Sequence, residues 1–61
     1  MTLIKKKLNK DISFEYGSGH IEIYKKGEEL DVIKEIKKPN HYCVAIDVGI
    51  WKYIEKDYFE D

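Results

Sequence analysis

The side chains best equipped for chemistry in this sequence are Cys43, His20, His41 and a scatter of carboxylates. Cys43 and His41 stand two residues apart, and on an extended strand such residues share a face, so a thiolate–imidazole pair is geometrically open to them. The competing reading is that Cys43 is a small buried apolar residue and His41 opens a strand at the surface, and it carries more weight. His20 adjoins a glycine turn and reads as a solvated loop residue. One cysteine and two histidines at unrelated spacings make no recognisable metal site, and Gly17-Ser18-Gly19 reads as a hairpin tip, not as a phosphate loop. The expectation is no catalytic residue, no metal and no cofactor, hence no enzyme.

Binding is the remaining class, and two sets of side chains bear on it. The chain opens on Lys5, Lys6, Lys7 and Lys10, which could follow a phosphate backbone while neighbouring aromatics stack on bases. Against that, the net charge is -1 and every basic side chain is Lys, so general phosphate affinity is weak and no Arg fork can read guanine or phosphate. Lysines on an edge strand also block edge-to-edge aggregation, which is the preferred explanation. The second set is aromatic: five Tyr, two Phe and one Trp are too many for so short a chain to bury completely. Phe14, Phe59 and one face of Trp51 are expected to fill the core. Tyr24, Tyr42, Tyr53 and Tyr58 have polar tips that suit half-buried or interface positions. Together with Trp51 and the acidic Asp57 and Glu60, they form the expected protein-binding surface.

These residues must be positioned by very little chain. Sixty-one residues leave room for one domain with one core. A core that small is marginal without a disulfide or metal, and a single cysteine provides neither, so good packing or homo-oligomerisation is required. A lone thiol with no hydrophobic leader points to a reducing compartment, and the cytoplasm is the expected location. The longest uncharged run, Pro39 to Ile46, falls far short of the ~20 apolar residues that span a bilayer, so no membrane partner is expected.

Periodicity points mainly to β-structure. Thr2 to Leu8 places Ile4 and Leu8 on one side of a strand, and Asn9 to Asp11 make a turn. Ile12, Phe14 and Tyr16 alternate with Ser13 and Glu15, and after the glycine turn Ile21 and Ile23 alternate with His20, Glu22 and Tyr24. A two-residue Ser18-Gly19 loop would pair Phe14 with Ile23 and Tyr16 with Ile21; a three-residue loop would place Phe14 opposite Glu22. The first keeps apolar residues together and is favoured, at the cost of Glu15 opposite Glu22. Leu30 to Ile36 carries both periods. Glu28 and Glu29 before it, with Lys37 and Lys38 after it, suit a helix dipole; as a strand, Leu30, Val32 and Ile36 share a face interrupted by Lys34. The strand is preferred. Tyr42, Val44 and Ile46 then alternate with Cys43, Ala45 and Asp47. A three-residue loop with Gly49 left-handed would set Ile46 against Ile50 and Ala45 against Trp51. The tail EKDYFED suits a helical turn laying Tyr58 and Phe59 on the core.

The stretch from Lys26-Gly27 through Leu30 to Ile36, then YCVAIDVGIWKYI and EKDYF, resembles the strand pattern of SH3-like small barrels. Their pattern is a strand after a Gly-containing turn, a hairpin of the form apolar-Asp-x-Gly-apolar-aromatic, and a short acidic-aromatic turn that closes the barrel. The resemblance implies a mainly β fold, a small antiparallel sheet or barrel of about five strands with a short helical turn at the C-terminus. It leaves open whether the N-terminal hairpin is an addition or supplies the remaining strands. Such barrels bind peptides, nucleic acids or neighbouring domains. The chain also resembles, in its Lys- and Ile-rich composition, the accessory proteins of low-GC bacteria and their phages, which block larger host machines. The leading expectation is therefore a module that binds, and inhibits, another protein. The alternative is a nucleic-acid-binding barrel using Lys5, Lys6, Lys7 and Lys10.

Overall fold

A computed structural model describes residues 1–15, 17 and 19–60. Among these residues six strands follow in order: β1 (Leu3–Lys7), β2 (Ile12–Glu15), β3 (Ile21–Tyr24), β4 (Glu29–Lys38), β5 (His41–Asp47) and β6 (Ile50–Glu55), with a 3₁₀ turn at Lys56–Tyr58. The fold is mainly β. An antiparallel sheet in the order β1-β4-β5-β6 is accompanied by the separate β2-β3 hairpin. Among the described residues no helix is long and apolar enough to cross a membrane.

Alternation explains most of the sheet. Leu30 and Val32 from β4, Val44 from β5 and Ile54 from β6 face one side and are buried with Leu8 and Phe59. Ile12, Phe14 and Tyr24 of the hairpin pack onto this cluster, as do Tyr42, Ile46 and Tyr58. The acidic-aromatic tail folds as its composition suggests, with Phe59 driven into the core and Tyr58 half-buried.

The chain end is fastened to β1 by main-chain bonds. Glu60 N–H donates to Lys7 O, and Asn9 N–H donates to Tyr58 O, both at 2.8 Å. Between them, Leu8 and Phe59 form a β-bridge. The Asn9 side-chain amide adds bonds to the carbonyls of Asp57 (2.8 Å) and Phe59 (3.1 Å). Asn9 is thus more than a turn former: it satisfies the carbonyls that the 3₁₀ turn leaves open.

Three expectations about register are corrected. In the first hairpin Phe14 pairs with Glu22 and Ile12 with Tyr24, so the three-residue register holds, and Phe14 does not face Ile23. Gly19 at φ +82° takes up the left-handed backbone that this longer connection needs. The same register brings Phe14 and Tyr24 into a diagonal edge-to-face contact, centroids 6.0 Å apart. Its cost is that Ile21 and Ile23, opposite Glu15 and Ser13, are more than half exposed. The proposed Tyr16–Ile21 pairing lies outside the described residues as regards Tyr16, but Ile21 itself pairs with Glu15.

At the second hairpin Ala45 does oppose Trp51, but Ile50 pairs with Asp47 and not Ile46, because the register shifts between Ala45 and Asp47. Asp47 Oδ1 accepts the Val48 N–H at 2.7 Å, and Gly49 at φ +75° supplies the single left-handed residue, leaving valine in ordinary backbone.

The third correction concerns β4, which is a strand as preferred but not a regular one. Between the pairs Val32↔Val44 and Lys37↔Tyr42, four residues of β4 stand against Cys43 alone. The adjacent Val32 and Ile33 are both buried at this point, so the simple alternation of an inward and a solvent-facing row does not hold along β4. Leu30, Val32 and Ile36 therefore do not form a single inward row. Ile36 is half-buried at the bulge.

Candidate functional site

Cys43 is buried on β5, and desolvation pushes its thiol above the ordinary value, away from the thiolate a nucleophile requires. His41 directs Nδ1 to the Pro39 carbonyl at 2.9 Å, and because a carbonyl only accepts, Nδ1 carries the proton and donates. The imidazole is thereby held to its own turn. Among the described residues no group of three or more His, Cys, Asp or Glu is arranged to hold a metal ion.

The four N-terminal lysines are dispersed to separate tasks. Lys5 forms a 2.8 Å ion pair with Asp31, directly across the β1–β4 ladder, and this hydrogen bond and charge raise its pKa. Lys6 lies over the ring of Tyr42 at 5.6 Å, and Lys10 over that of Tyr58 at 4.3 Å. Lys5, Lys6 and Lys7 share a shallow depression with Glu29 and Glu60, whose carboxylates offset them. Glu60, expected on the partner surface, thus stands among lysines.

The aromatic set divides in two. Trp51 does not enter the core: it lies opposite Ala45, on the face away from Val44 and Ile54, and is 53% exposed. Tyr53 is on the same face, 51% exposed, with the Lys38 ammonium 4.4 Å from its ring centre. Tyr24, Tyr42 and Tyr58 instead edge the core, and Tyr42 meets Phe59 edge-on at 5.3 Å. One member of each group, Tyr53 and Tyr58, lines a groove of about 210 Å³ between the hairpin and β6, with Ile12, Phe14, His41, Ile54 and Glu55. Asp57 lines a neighbouring hollow with Asn40, His41, Glu55 and Lys56.

A larger feature lies where few residue patterns point to it. At the β4 bulge a cleft of about 520 Å³ opens between Ile4, Val32, Ile33 and Ile36 on its floor and Lys34, Lys37, Lys38 and Lys56 around it, with Pro39, His41 and Tyr42 completing the wall. In the sequence Lys37 and Lys38 suggest only a helix end. The available signal is the broken alternation of Val32-Ile33 and Lys34, which marks a bulge once a strand is assumed. No known protein family, no characterised protein and no solved structure matches this chain.

Proposed function

We propose that this chain is a small non-catalytic interaction module that binds another protein, through a surface running from Trp51 across Tyr53 into the groove beside Tyr58 and Phe14. The observation that carries this reading is the pair of half-exposed aromatic side chains on β6, an outer strand of a packed sheet, of which Tyr53 also lines an aromatic groove. Rigid aromatics contribute large contact area at low entropic cost, and Trp and Tyr are the residues that most often dominate binding energy. Among the described residues, the order of elements supports an SH3-like affiliation. β4 follows the turn at Gly27, β5 and β6 enclose Asp47-Val48-Gly49, and a 3₁₀ turn returns Phe59 to β1. A module of this size acts by occupying a partner's surface, which is how a small inhibitor of a larger machine would work. Nucleic acid is the weaker reading, because Lys5, Lys6, Lys7 and Lys10 already face carboxylates or aromatic rings.

The test is affinity capture from nuclease-treated bacterial lysate with wild type and Trp51→Ala/Tyr53→Ala. Both side chains are exposed, so the variant should keep its circular dichroism. A stoichiometric protein should be retained by wild type, and the variant should bind it at least about tenfold more weakly. Retention that vanishes on nuclease treatment, or that the variant preserves, would overturn the reading.

A further inference from the structure

We propose that the cleft at the β4 bulge is a second binding site, which takes an acidic peptide segment carrying apolar anchor side chains. The floor and rim have different chemistry. Ile4 and Ile36, with the buried Val32 and Ile33 beneath them, form an aliphatic floor in a concavity of about 520 Å³, within the ~300–1,000 Å³ range of ligand clefts. Around it stand four of the eleven lysines of the chain, Lys34, Lys37, Lys38 and Lys56, all exposed, with Lys38 and Lys56 also lying over the rings of Tyr53 and Tyr42 at 4.4 Å and 5.1 Å, contacts that leave their charge unneutralised.

Among the described residues no carboxylate lies within ion-pairing distance of these four. Of the acids beside them in sequence, Glu35 is engaged elsewhere, its Oε1 accepting the Thr2 N–H at 2.8 Å, and Glu55 and Asp57 flank Lys56 in the neighbouring hollow without an ion pair to it. Four like charges gathered on one rim repel each other, and an incoming anion relieves that repulsion while an apolar side chain covers the floor. The positive rim and apolar floor thus call for carboxylates and aliphatic or aromatic groups on one ligand.

The same geometry disfavours nucleic acid. Base binding needs an open aromatic face. Tyr42 is the aromatic side chain in the cleft wall, and its ring is already covered by Lys6 and Lys56 and set against Phe59. Lys also lacks the planar fork that reads a phosphate bidentately. An aliphatic floor has nothing to stack on.

The experiment titrates the intact protein into a fluorescein-labelled peptide of about ten residues alternating Glu or Asp with Leu or Phe, read by anisotropy. Three further probes are a Gln/Asn version of the peptide, a version with Ser in place of Leu and Phe, and an oligo-dT of about twelve nucleotides. The acidic apolar peptide should bind saturably and at least about tenfold tighter than any of the three. Lys37→Glu/Lys38→Glu should weaken it by at least about tenfold, whereas Lys7→Glu/Lys26→Glu, the same charge change away from the cleft, should cost less than about threefold. Trp51→Ala, on the β6 surface and, among the described residues, with no contact to the cleft lysines, should leave it unchanged, so failure here is distinguishable from failure of the β6 surface. Absence of saturable binding, equal loss in both charge variants, or equally tight oligonucleotide binding would each overturn the proposal. So would a solution mass showing that a second copy of the chain fills the cleft.

Discussion

Both sheets turn on a glycine with positive φ, Gly49 between β5 and β6 and Gly19 between β2 and β3, yet they use their apolar residues differently. In the four-stranded sheet, Val32, Val44 and Ile54 face one way and are almost fully buried. In the hairpin, register divides the apolar residues: Ile12 and Phe14 lean on the core while Ile21 and Ile23 face solvent. Among the described residues the hairpin shares no ladder with the larger sheet. A two-stranded hairpin alone is marginal in water, so this one depends on the side chains it rests against the core. Turn chemistry is common to both; what separates them is how many neighbours each strand has.

The largest expected effect tests that dependence directly. Ile54→Ala removes a side chain that is 3% exposed in the core and should cost about 2–5 kcal/mol in urea denaturation. Phe14→Ala deletes more atoms but from a half-buried position, and should cost less than Ile54→Ala. If Phe14→Ala proved the more damaging, the hairpin would have to be counted as part of the main core.

The turns give the next contrast. A Cβ at Gly19 or Gly49 would meet nothing within 4 Å, so an Ala substitution is resisted by backbone conformation alone, about 1–2 kcal/mol. Gly49→Ala should show that cost in global unfolding. Gly19→Ala should show less, because a hairpin that opens locally does not transmit its full strain to the global transition. Hydrogen exchange provides the check: Gly19→Ala should speed exchange of β2 and β3 amides and spare those of β5, and a uniform increase would mean that the two sheets open together.

Smaller still is Ile21→Thr/Ile23→Thr. Thr keeps β-branching, and both positions are more than half exposed, so each change should stay within about 0.5 kcal/mol. A larger loss in thermal or urea unfolding would show that this face is covered in solution.

How much of this could be read from residues alone follows the same division. The strands of the larger sheet were legible because alternation in YCVAI and the Asp-Val-Gly turn agree with each other. The hairpin register was not, because pairing apolar with apolar is a sound rule only where both partners are buried. Here a longer loop, with Gly19 left-handed, prevails over that rule. The cleft was illegible for a different reason. Its lysines come from two separated segments, 34–38 and 56, and meet only because β4 bulges and the 3₁₀ turn folds back. The aromatic surface was half legible: composition announced an excess, but which tyrosines reach solvent depends on the face each strand turns outward.

The smallest effect distinguishes the sheets by pH. Glu35 on the β4 bulge accepts the Thr2 N–H, and this backbone hydrogen bond lowers its pKa from 4.5 to about 2. A folded-state value below the unfolded one means that the ionised carboxylate favours the fold. That contribution is present above pH 4.5 and is lost as the pH falls from there towards about 2. The group is fully exposed, so water and salt screen it and the effect on melting temperature is slight. Glu35→Gln should melt slightly below wild type at neutral pH and converge with it as acid is added, since Gln has no proton to gain. Hydrogen exchange near Thr2 and Lys34, whose N–H donates to the Thr2 carbonyl at 2.9 Å, should quicken in the variant, with the β2 and β3 amides unaffected. Melting curves that stay parallel from neutral pH to about 2 would show that this bond does not couple β1 to the bulge.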